Sequence, residues 1–416
     1  MEIIIKSQNK IENAMNNVFL DSLLSKNTIA INAGTNTDWG IPPPEQLSES
    51  VIRLGGGIPD PLLIPQDDLL EGFRYLQSFP DDTFFRYGGP VGYELLRKSI
   101  AEHYSSNMMK YDDEQFILTN GSAGAIELVA KTMIDPGDIV VVEAPTFSGT
   151  LRTFRGYQAN IISVPTDENG MDTDVLESFL SKQDISVNKV KIVYTISNFH
   201  NPTGAYLNDD RRKHLMQLAK KYNFIIIDDD AYGEINFTDL SSHPLRDFDE
   251  FGHVVTVGTF SKTIATGMRV GWICAHPLIA KKILTNRFDM GNSPILHGLI
   301  AHFMQTGKYQ KHVQKIKKIY AQKMNWLVNS IENPGNAYVD FFVPKGGFFL
   351  WLGLKQQSAS ELQKIALGKE LVFPHGSVFF SGDEYQDSFI RLAFSKSNED
   401  ELKKSGQILS ASLQEL

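Results

Sequence analysis

The sequence predicts an α/β protein whose mostly parallel sheet is flanked by helices, together with a smaller α+β domain. Up to about residue 300, short apolar runs bounded by turn residues alternate with longer amphipathic segments, a pattern typical of parallel strands connected by helices. After that point a lysine-rich amphipathic helix is predicted over 309–329, and further apolar runs follow it. The strands predicted for the sheet cover residues 116–118, 139–142, 192–196, 224–227, 254–257 and 270–273.

The same change of pattern divides the chain into three parts. Residues 1–52 mix Asn, Ser and Pro with a short helical pattern and include three prolines at 42–44, which is typical of an arm rather than a core element. We expect this arm to contribute part of the smaller domain. The large domain is predicted over 53–305 and the small C-terminal domain over 306–416.

Composition argues against several classes of partner. The 40 basic and 49 acidic residues give a net charge of -9 without a basic cluster, so neither nucleic acid nor an anionic membrane is expected as a partner. The one cysteine, Cys274, excludes an internal disulfide and a thiolate zinc cluster, and no histidine pair has metal-ligand spacing on a helix. No metal site is therefore predicted. Neither a signal peptide nor an apolar run of membrane-spanning length is recognisable, so we expect a cytoplasmic protein.

The stretch 258–272 is the most informative part of the chain. It places Lys262 among hydroxyls and glycines, with Arg269 seven residues further on. A lysine amine can form a Schiff base with an aldehyde, and the hydroxyls of Thr259 and Ser261, backbone N–H groups and an arginine fork can together neutralise a phosphate. Taken alone, Lys262 would be interpreted as a solvated surface charge. With these neighbours, the pattern predicts the phosphorylated aldehyde cofactor pyridoxal phosphate.

Acidic residues follow the predicted strand 224–227. In an open α/β sheet, ligands bind beyond the carboxyl ends of the strands, and a carboxylate against a pyridine nitrogen keeps that nitrogen protonated, so the ring withdraws electrons. Asp229 is the candidate, because Tyr232 stands three residues further on, where its phenol could hydrogen-bond the ring hydroxyl. Asp228 and Asp230 are interpreted as solvated charges at the strand end.

Two other strand ends carry candidate cofactor ligands. Residues 120–124 form a glycine turn that leads into a helix, and a helix N-terminus at Ser122 and Ala123 would bind phosphate through free N–H groups. Asn201 follows the strand that ends at Ile196 and could donate to a ring oxygen, although an Asn-Pro turn of no special function would have the same sequence. His200 is interpreted as a cavity wall or a satisfied histidine rather than a general base.

Arg391 stands in the apolar run 389–394. An unpaired charge would be costly there, so this arginine requires a carboxylate. Two partners remain open from the sequence, namely an internal Asp or Glu and the α-carboxylate of a substrate, which an arginine fork can bind through two hydrogen bonds.

Taken in order, these motifs give the chain beyond residue 50 a family resemblance. It resembles the fold-type I pyridoxal-phosphate aminotransferases of the class I and II group, in the branch with 2-aminoadipate and kynurenine aminotransferases and MocR-type regulators. The resemblance implies the PLP-dependent transferase fold type I, with a seven-stranded, mostly parallel sheet, and a homodimer with shared active sites. The motifs that carry it are 56–61, Tyr87 with Gly92 and Leu96-Arg97, 121–122, 201–204, 229–232, 261–269, 346–348 and Arg391.

The resemblance also implies roles for individual residues. Lys262 would bind the cofactor covalently and then move the proton at the substrate α-carbon, assisted by Asp229 at the pyridine nitrogen and Tyr232 at the ring hydroxyl. Arg391, with Asn201 and Gly57, would bind the substrate. Phe147 would stack on the ring, where relatives often carry Tyr. The other cofactor ligands would be Asn201 for the ring hydroxyl and, for the phosphate, Ser122, Ala123, Thr259, Ser261, Arg269 and Tyr87 of the partner subunit.

The activity implied is transfer of an amino group from an L-amino acid to a 2-oxo acid by a ping-pong route. Two alternatives remain open from the sequence. One is a lyase, decarboxylase or cyclase that uses the same cofactor site, since the motifs hold the cofactor and the carboxylate rather than select the bond that breaks. The other is a non-catalytic sensing module of a regulator. Donor and acceptor also stay open, an aromatic or long aliphatic side chain being the working hypothesis.

Overall fold

The computed structural model describes residues 22–34, 41–105, 109–182, 189–238, 243–335, 337–356, 358–382 and 387–416. Its strands are β1 (Ile52–Arg53), β2 (Phe116–Thr119), β3 (Ile139–Ala144), β4 (Asn160–Asp167), β5 (Gly170–Met171), β6 (Val190–Thr195), β7 (Ile225–Asp229), β8 (Val254–Thr259), β9 (Gly271–Cys274), β10 (Val339–Asp340), β11 (Phe349–Leu354), β12 (Leu371–Val372) and β13 (Phe389–Ala393). Its α-helices are α1 (Lys26–Gly34), α2 (Gln66–Gln77), α3 (Glu94–Tyr104), α4 (Gly121–Met133), α5 (Ser148–Gly156), α6 (Thr173–Lys182), α7 (Asp209–Tyr222), α8 (Pro277–Thr285), α9 (Pro294–Gln305), α10 (Lys308–Gly335), α11 (Ala359–Gly368) and α12 (Glu399–Glu415).

The large sheet has the strand order β2-β9-β8-β7-β6-β3-β4 and is extended at one edge by the two-residue strand β5. Strands β8, β7, β6, β3 and β4 are parallel to their neighbours in that order, whereas β9 is antiparallel to both β2 and β8. The prediction of a mostly parallel sheet flanked by helices is confirmed. Each of the six predicted strands is present, with its ends shifted by a few residues.

Strand β4 was not among the predicted strands. Only Val164 of its eight residues is buried, and Pro165 would argue against a central strand because it has no N–H for the ladder. Both features suit its position near the sheet edge, where solvent reaches part of the strand. The apolar run that identified the other strands is therefore missing here.

Helices cover both faces of this sheet. On one face, α4 and α8 pack against strand residues such as Val140 and Ile192. On the other, α6 and α7 pack against Val141 and Val193. Since neighbouring residues of a strand point to opposite faces, Val140 and Val141 bury both sides of β3. Polar residues stand at the carboxyl ends of β3, β6 and β7, namely Glu143, Thr195 and Asp229.

A second, antiparallel sheet has the order β10-β11-β13 and packs with α10 and α12 around a separate hydrophobic core. The helix predicted over 309–329 is present as α10 and is longer at both ends. Strand β1 pairs in parallel with β12, Ile52 opposite Leu371 and Arg53 opposite Val372, so the segment after the N-terminal arm lies beside the C-terminal part. The domain boundaries at 52/53 and 305/306 stay a prediction.

Candidate active site

A cavity of about 300 Å³ lies at the carboxyl ends of the central strands. The structure brings the predicted site residues together there, with one exception. Tyr87 does not border the cavity and is 83% exposed. The predicted residues that do border it are Gly57, Ser122, Ala123, Phe147, Asn201, Asp229, Tyr232, Thr259, Ser261, Lys262, Arg269 and Arg391.

Asp229, the last residue of β7, presents one carboxylate oxygen that has no protein partner. Its Oδ2 accepts a hydrogen bond of 2.8 Å from the Tyr194 hydroxyl, whereas Oδ1 is buried and makes no hydrogen bond. Burial raises the pKa of Asp229 to about 6, although the Tyr194 hydrogen bond and the Lys262 charge oppose this rise. A buried acceptor without a donor is costly. The protonated nitrogen of a pyridine ring would supply the missing donor, so this residue fits the predicted cofactor.

The neighbouring acids Asp228 and Asp230 are not solvated strand-end charges, so that interpretation was wrong. They are 0% and 7% exposed. Ser197 Oγ donates to Asp228 over 2.6 Å and Asn198 Nδ2 donates to Asp230 over 2.8 Å. Burial and the Asp228 charge raise the pKa of Asp230 to about 7. Ser197 and Asn198, which follow the end of β6, thus supply the hydrogen bonds that solvent would make to two exposed acids.

Lys262 reaches the cavity with its amine close to a neutral acceptor. Its Nζ donates to the carbonyl oxygen of Gly57 over 2.8 Å and lies 5.4 Å from the centre of the Tyr232 ring. Burial lowers the pKa of Lys262 to about 8; the Asp229 carboxylate opposes this, while Arg391 and Arg269 contribute to it. Because the neutral amine is the nucleophile, this environment makes the lysine more reactive near neutral pH than a solvated one.

The predicted phosphate ligands surround the N-terminus of α4. Arg269 donates to the Asn120 carbonyl oxygen over 3.3 Å and to the Thr266 carbonyl oxygen over 3.1 Å, and Thr259 Oγ1 donates to Ser261 Oγ over 2.9 Å. Gly121 has φ +71°, and a Cβ there would lie 2.8 Å from Arg269 NH2. Hydroxyls, a guanidinium and free N–H groups of a helix N-terminus therefore converge, a combination that suits a phosphate.

Arg391, on β13, enters the cavity from the antiparallel sheet. Its guanidinium carbon lies 4.4 Å from the Phe349 ring centre and 4.5 Å from that of Phe379. NH1 donates to Asn201 Oδ1 over 2.8 Å and NH2 to the Gly55 carbonyl oxygen over 2.5 Å. Burial lowers the pKa of Arg391 to about 9, which leaves the side chain charged at neutral pH. The rings and these neutral acceptors hold its plane at the cavity wall.

His200 is a buried histidine that does not border the cavity, and its Nδ1 lies 2.9 Å from Thr203 Oγ1. It is 1% exposed, and its Nε2 lies 3.0 Å from Glu143 Oε2 in an ion-pair contact. Glu143 also accepts from the Thr195 hydroxyl over 2.8 Å and from the Ile196 N–H over 2.9 Å. This carboxylate thereby connects the end of β3 with the segment that carries Asn201.

Sequence reasoning missed several residues of the cavity wall. Gly56 belongs to the recognised motif 56–61 and Gly55 directly precedes it, but neither was predicted as a site residue. Phe349 directly follows the recognised stretch 346–348. At Gly57 a Cβ would lie 2.4 Å from Phe349 Cζ, so the glycine and the phenylalanine require each other. The other missed wall residues are Ile196, Ala231 and Thr266.

A half-buried lysine of lowered pKa that shares a cavity with an unpartnered aspartate oxygen and a phosphate-type helix N-terminus defines the class of pyridoxal-phosphate enzymes. Comparison with known proteins makes the class specific. The sequence profile of the family "Aminotransferase class I and II" matches residues 72–405. The chain belongs to this family.

Individual relatives agree with this assignment. The chain is 32% identical over 375 residues to aromatic-amino-acid aminotransferase 1 of Thermococcus litoralis, which covers 88% of this chain and 89% of that protein. The crystal structure of a multiple substrate aminotransferase from Thermococcus profundus superposes with a TM-score of 0.85 at 28% identity, covering 95% and 98% of the two chains. An α-aminoadipate aminotransferase from Thermus thermophilus, complexed with N-(5'-phosphopyridoxyl)-L-leucine, superposes with a TM-score of 0.84 at 26% identity, covering 95% and 98%.

The protein is thus a pyridoxal-phosphate-dependent aminotransferase of fold type I, and its substrates are an amino acid and a 2-oxo acid. The predictions of fold, cofactor and activity are confirmed. No helix within the described part of the chain is both long and apolar enough to cross a membrane. Among the same residues, no three His, Cys, Asp or Glu side chains gather as a metal site.

Proposed function

We propose that this aminotransferase takes its amino group from amino acids with an uncharged, above all an aromatic, side chain. The observation that supports this proposal most directly is the set of cations around the cavity. Three positively charged side chains border it among the described residues, namely Lys262, Arg269 and Arg391. The roles proposed below occupy all three, so among the residues that the structure describes no further cation borders the cavity to pair with a second substrate carboxylate.

The residues at one end of the cavity would hold the cofactor. Bound pyridoxal phosphate supplies an aldehyde that accepts the amino group and a ring that withdraws electrons from the substrate α-carbon. We assign Asp229 Oδ1 to the pyridine nitrogen, Phe147 to the ring face, and Asn201 with Tyr232 to the ring hydroxyl. The phosphate ligands in this assignment are Ser122, Ala123, Thr259, Ser261 and Arg269.

Lys262 would do the proton transfer. Its neutral amine would remove the proton from the substrate α-carbon as a general base, and the ammonium group so formed would deliver that proton to the cofactor as a general acid. The pKa of about 8 suits this exchange near neutral pH, because both protonation states of the amine are then populated. Asp229 would accept a hydrogen bond from the pyridine nitrogen and so keep that nitrogen protonated.

Arg391 would bind the α-carboxylate through two hydrogen bonds and so orient the α-carbon toward Lys262. Around it the wall is largely apolar, with Phe349, the Tyr232 ring and Ile196. Such a wall favours an apolar side chain and makes no ion pair with a distal carboxylate. The activity for which the Thermococcus litoralis relative is named supports the same donor class.

A homodimer in the cytoplasm is part of this proposal. Three large apolar side chains are exposed on the single chain, with Phe85 at 77%, Tyr87 at 83% and Phe288 at 94%. The two segments that carry them are joined by a hydrogen bond of 2.8 Å from the Arg287 guanidinium to the Pro90 carbonyl oxygen. A monomeric protein rarely leaves such a group uncovered. We propose that a second copy covers it and that Tyr87 of the partner subunit reaches the phosphate site.

The test is a donor panel followed by absorbance of the bound cofactor. Phenylalanine, tyrosine, kynurenine, leucine, 2-aminoadipate and aspartate are each added to the purified enzyme, and the visible band must be lost and then return with a 2-oxo acid. We expect kcat/KM for the aromatic donors to exceed that for the dicarboxylic donors at least about tenfold, because the apolar wall would leave the distal carboxylate of a dicarboxylic donor without an ion pair. A preference for 2-aminoadipate or aspartate would overturn the proposed donor class. A band that no donor discharges would favour the lyase-type alternative.

A further inference from the structure

A buried tyrosine lies directly behind Asp229. Tyr194 is on β6, is 0% exposed and does not border the cavity. Its position in the sheet is opposite Ile227 of β7, and its hydroxyl donates to Asp229 Oδ2 over 2.8 Å. Tyr194 therefore touches neither substrate nor cofactor, yet it contacts the carboxylate that we place at the pyridine nitrogen.

The direction of this hydrogen bond is fixed by a second one. Thr150 Oγ1 donates to the Tyr194 hydroxyl oxygen over 3.1 Å, so the single phenol proton is left for Asp229. Thr150 stands in the first turn of α5, where its N–H donates to the Phe147 carbonyl oxygen over 3.2 Å. A continuous series of contacts thus connects the residue proposed to stack on the ring with the acid proposed to hold its nitrogen.

We propose that Tyr194 is a positioning residue of the cofactor site, which occupies Asp229 Oδ2 and so keeps Oδ1 directed at the pyridine nitrogen as an ionised acceptor. This inference rests on the proposed placement of Asp229. It assigns a role in cofactor binding to a residue that the family motifs of this chain do not include. The orphaned Oδ1 and the occupied Oδ2 are two halves of the same arrangement.

The electrostatics of the acid agree with this role. Burial raises the pKa of Asp229 and the charge of Asp228 raises it further, while the Tyr194 hydrogen bond lowers it. A hydrogen bond to a charged group stabilises the charged form. Without the phenol, a larger share of Asp229 would be protonated, and a protonated carboxyl is a poor acceptor for a pyridinium N–H.

Tyr194→Phe tests the inference, with Tyr111→Phe as the matched control. Tyr111 is also a buried tyrosine whose hydroxyl donates to a carboxylate, that of Asp247, but it lies outside the cavity. Both variants should lose a similar amount of thermal stability. The dissociation constant of pyridoxal phosphate from the apoenzyme should rise about tenfold or more in Tyr194→Phe, as expected for a hydrogen bond to a charged group, and stay unchanged in Tyr111→Phe.

A cofactor analogue separates positioning from a merely structural effect. In 1-deazapyridoxal phosphate a CH group replaces the ring nitrogen, so Asp229 has nothing to accept from. Tyr194→Phe should lower the affinity of the apoenzyme for pyridoxal phosphate. Its affinity for the analogue should stay within about twofold of wild type, because Asp229 makes no hydrogen bond to the analogue that the substitution could disturb. Equal weakening of both compounds would overturn the role of Tyr194.

Asp229→Asn distinguishes this failure from that of the proposed site. If Asp229→Asn discriminates between the two compounds and Tyr194→Phe does not, the Tyr194 inference is wrong and the placement of Asp229 stands. If Asp229→Asn binds both compounds as wild type does, the placement itself is wrong. If the placement of Asp229 and the role of Tyr194 are both correct, adding Tyr194→Phe to Asp229→Asn should cause no further loss of affinity for pyridoxal phosphate.

Discussion

Two lysines, one buried in the protein and one half-buried beside a cavity, differ in how the chain compensates their charge. Lys323, on α10, is 3% exposed, and its amine donates to Asp60 Oδ2 over 2.6 Å and to the carbonyl oxygens of Ser395 and Ser397 over 3.1 and 2.7 Å. Those contacts use all three donors of the ammonium. Lys262 is only half-buried, and its amine has one carbonyl partner and borders a cavity.

The comparison teaches that burial alone does not make a lysine reactive. The Asp60 carboxylate and two carbonyls compensate the charge of Lys323, so that residue fixes the loop after the glycine run to α10. At Lys262 burial outweighs the nearby Asp229 charge and the pKa falls to about 8. Reactivity therefore comes from incomplete compensation beside open space.

Of the changes considered, Lys262→Ala is expected to have the largest effect on activity, because Lys262 is the reactive one of the two lysines. Removing the amine removes both the covalent bond to the cofactor and the general base. We expect kcat/KM to fall by on the order of 10⁴-fold or more, with an unchanged far-ultraviolet circular dichroism spectrum. Lys311→Ala, a change at an exposed lysine of α10, is the control and should keep wild-type activity. A Lys262→Ala enzyme that retained a tenth of the activity would refute the role.

Lys323→Met tests the lysine whose charge is compensated by protein partners. It leaves Asp60, whose side chain is 11% exposed, without its partner, and breaking a buried ion pair in this way costs about 3–5 kcal/mol of unfolding free energy. Denaturant unfolding would measure this loss. Lys262→Met, its matched control, should lose little or gain stability because it removes an incompletely compensated charge. Equal losses in the two variants would show that the lysines do not differ.

The pH dependence of cofactor capture sharpens the comparison further. The rate at which the apoenzyme binds pyridoxal phosphate covalently should rise about tenfold per pH unit below pH 8 and level off above it, because only the deprotonated amine attacks. Since the Asp229 carboxylate raises the pKa of Lys262, Asp229→Asn should move the break to lower pH. Stopped-flow absorbance from pH 6 to 10 measures both profiles. A break near pH 10 in the wild type would mean that Lys262 behaves as a solvated lysine.

Changes at Phe147 give the smallest effect, because this wall of the cavity is uncharged. Phe147→Tyr should alter the affinity for pyridoxal phosphate less than about twofold, since the ring and its stacking are kept. Phe147→Ala should weaken it about tenfold through loss of the stacked ring. Equilibrium titration of the apoenzyme distinguishes the two. An effect of Phe147→Tyr as large as that of Phe147→Ala would show that the face of the ring is not what matters.

The sequence was sufficient to predict that residues of several local motifs share one cavity. Lys262, Asp229, Asn201 and Arg391 each follow or occupy a recognisable apolar strand, and the carboxyl ends of parallel strands meet at one edge. The mostly parallel sheet could be predicted for the same reason. Strand β4 could not, because a partly solvated edge strand carries no continuous apolar run.

Residues that act through the register of the sheet were beyond the sequence. Tyr194 has the pattern of an ordinary core aromatic, and only its pairing opposite Ile227 brings its hydroxyl to Asp229. Asp228 and Asp230 were misjudged for the same reason, since their partners Ser197 and Asn198 come from the neighbouring strand end. Which side chains of two strands meet depends on an alignment that neither strand encodes alone.

The hydrogen bond between Arg391 and the Gly55 carbonyl oxygen joins residues that are 336 positions apart in the chain. During translation, at about 5–20 residues per second, the ribosome needs roughly 20 to 70 seconds to make the intervening segment. The carbonyl oxygen of Gly55 therefore cannot accept its hydrogen bond until Arg391, 336 residues later, has been translated. A nascent chain thus contains the residues proposed to hold the cofactor, which end at Arg269, well before Arg391 can close the glycine wall of the cavity.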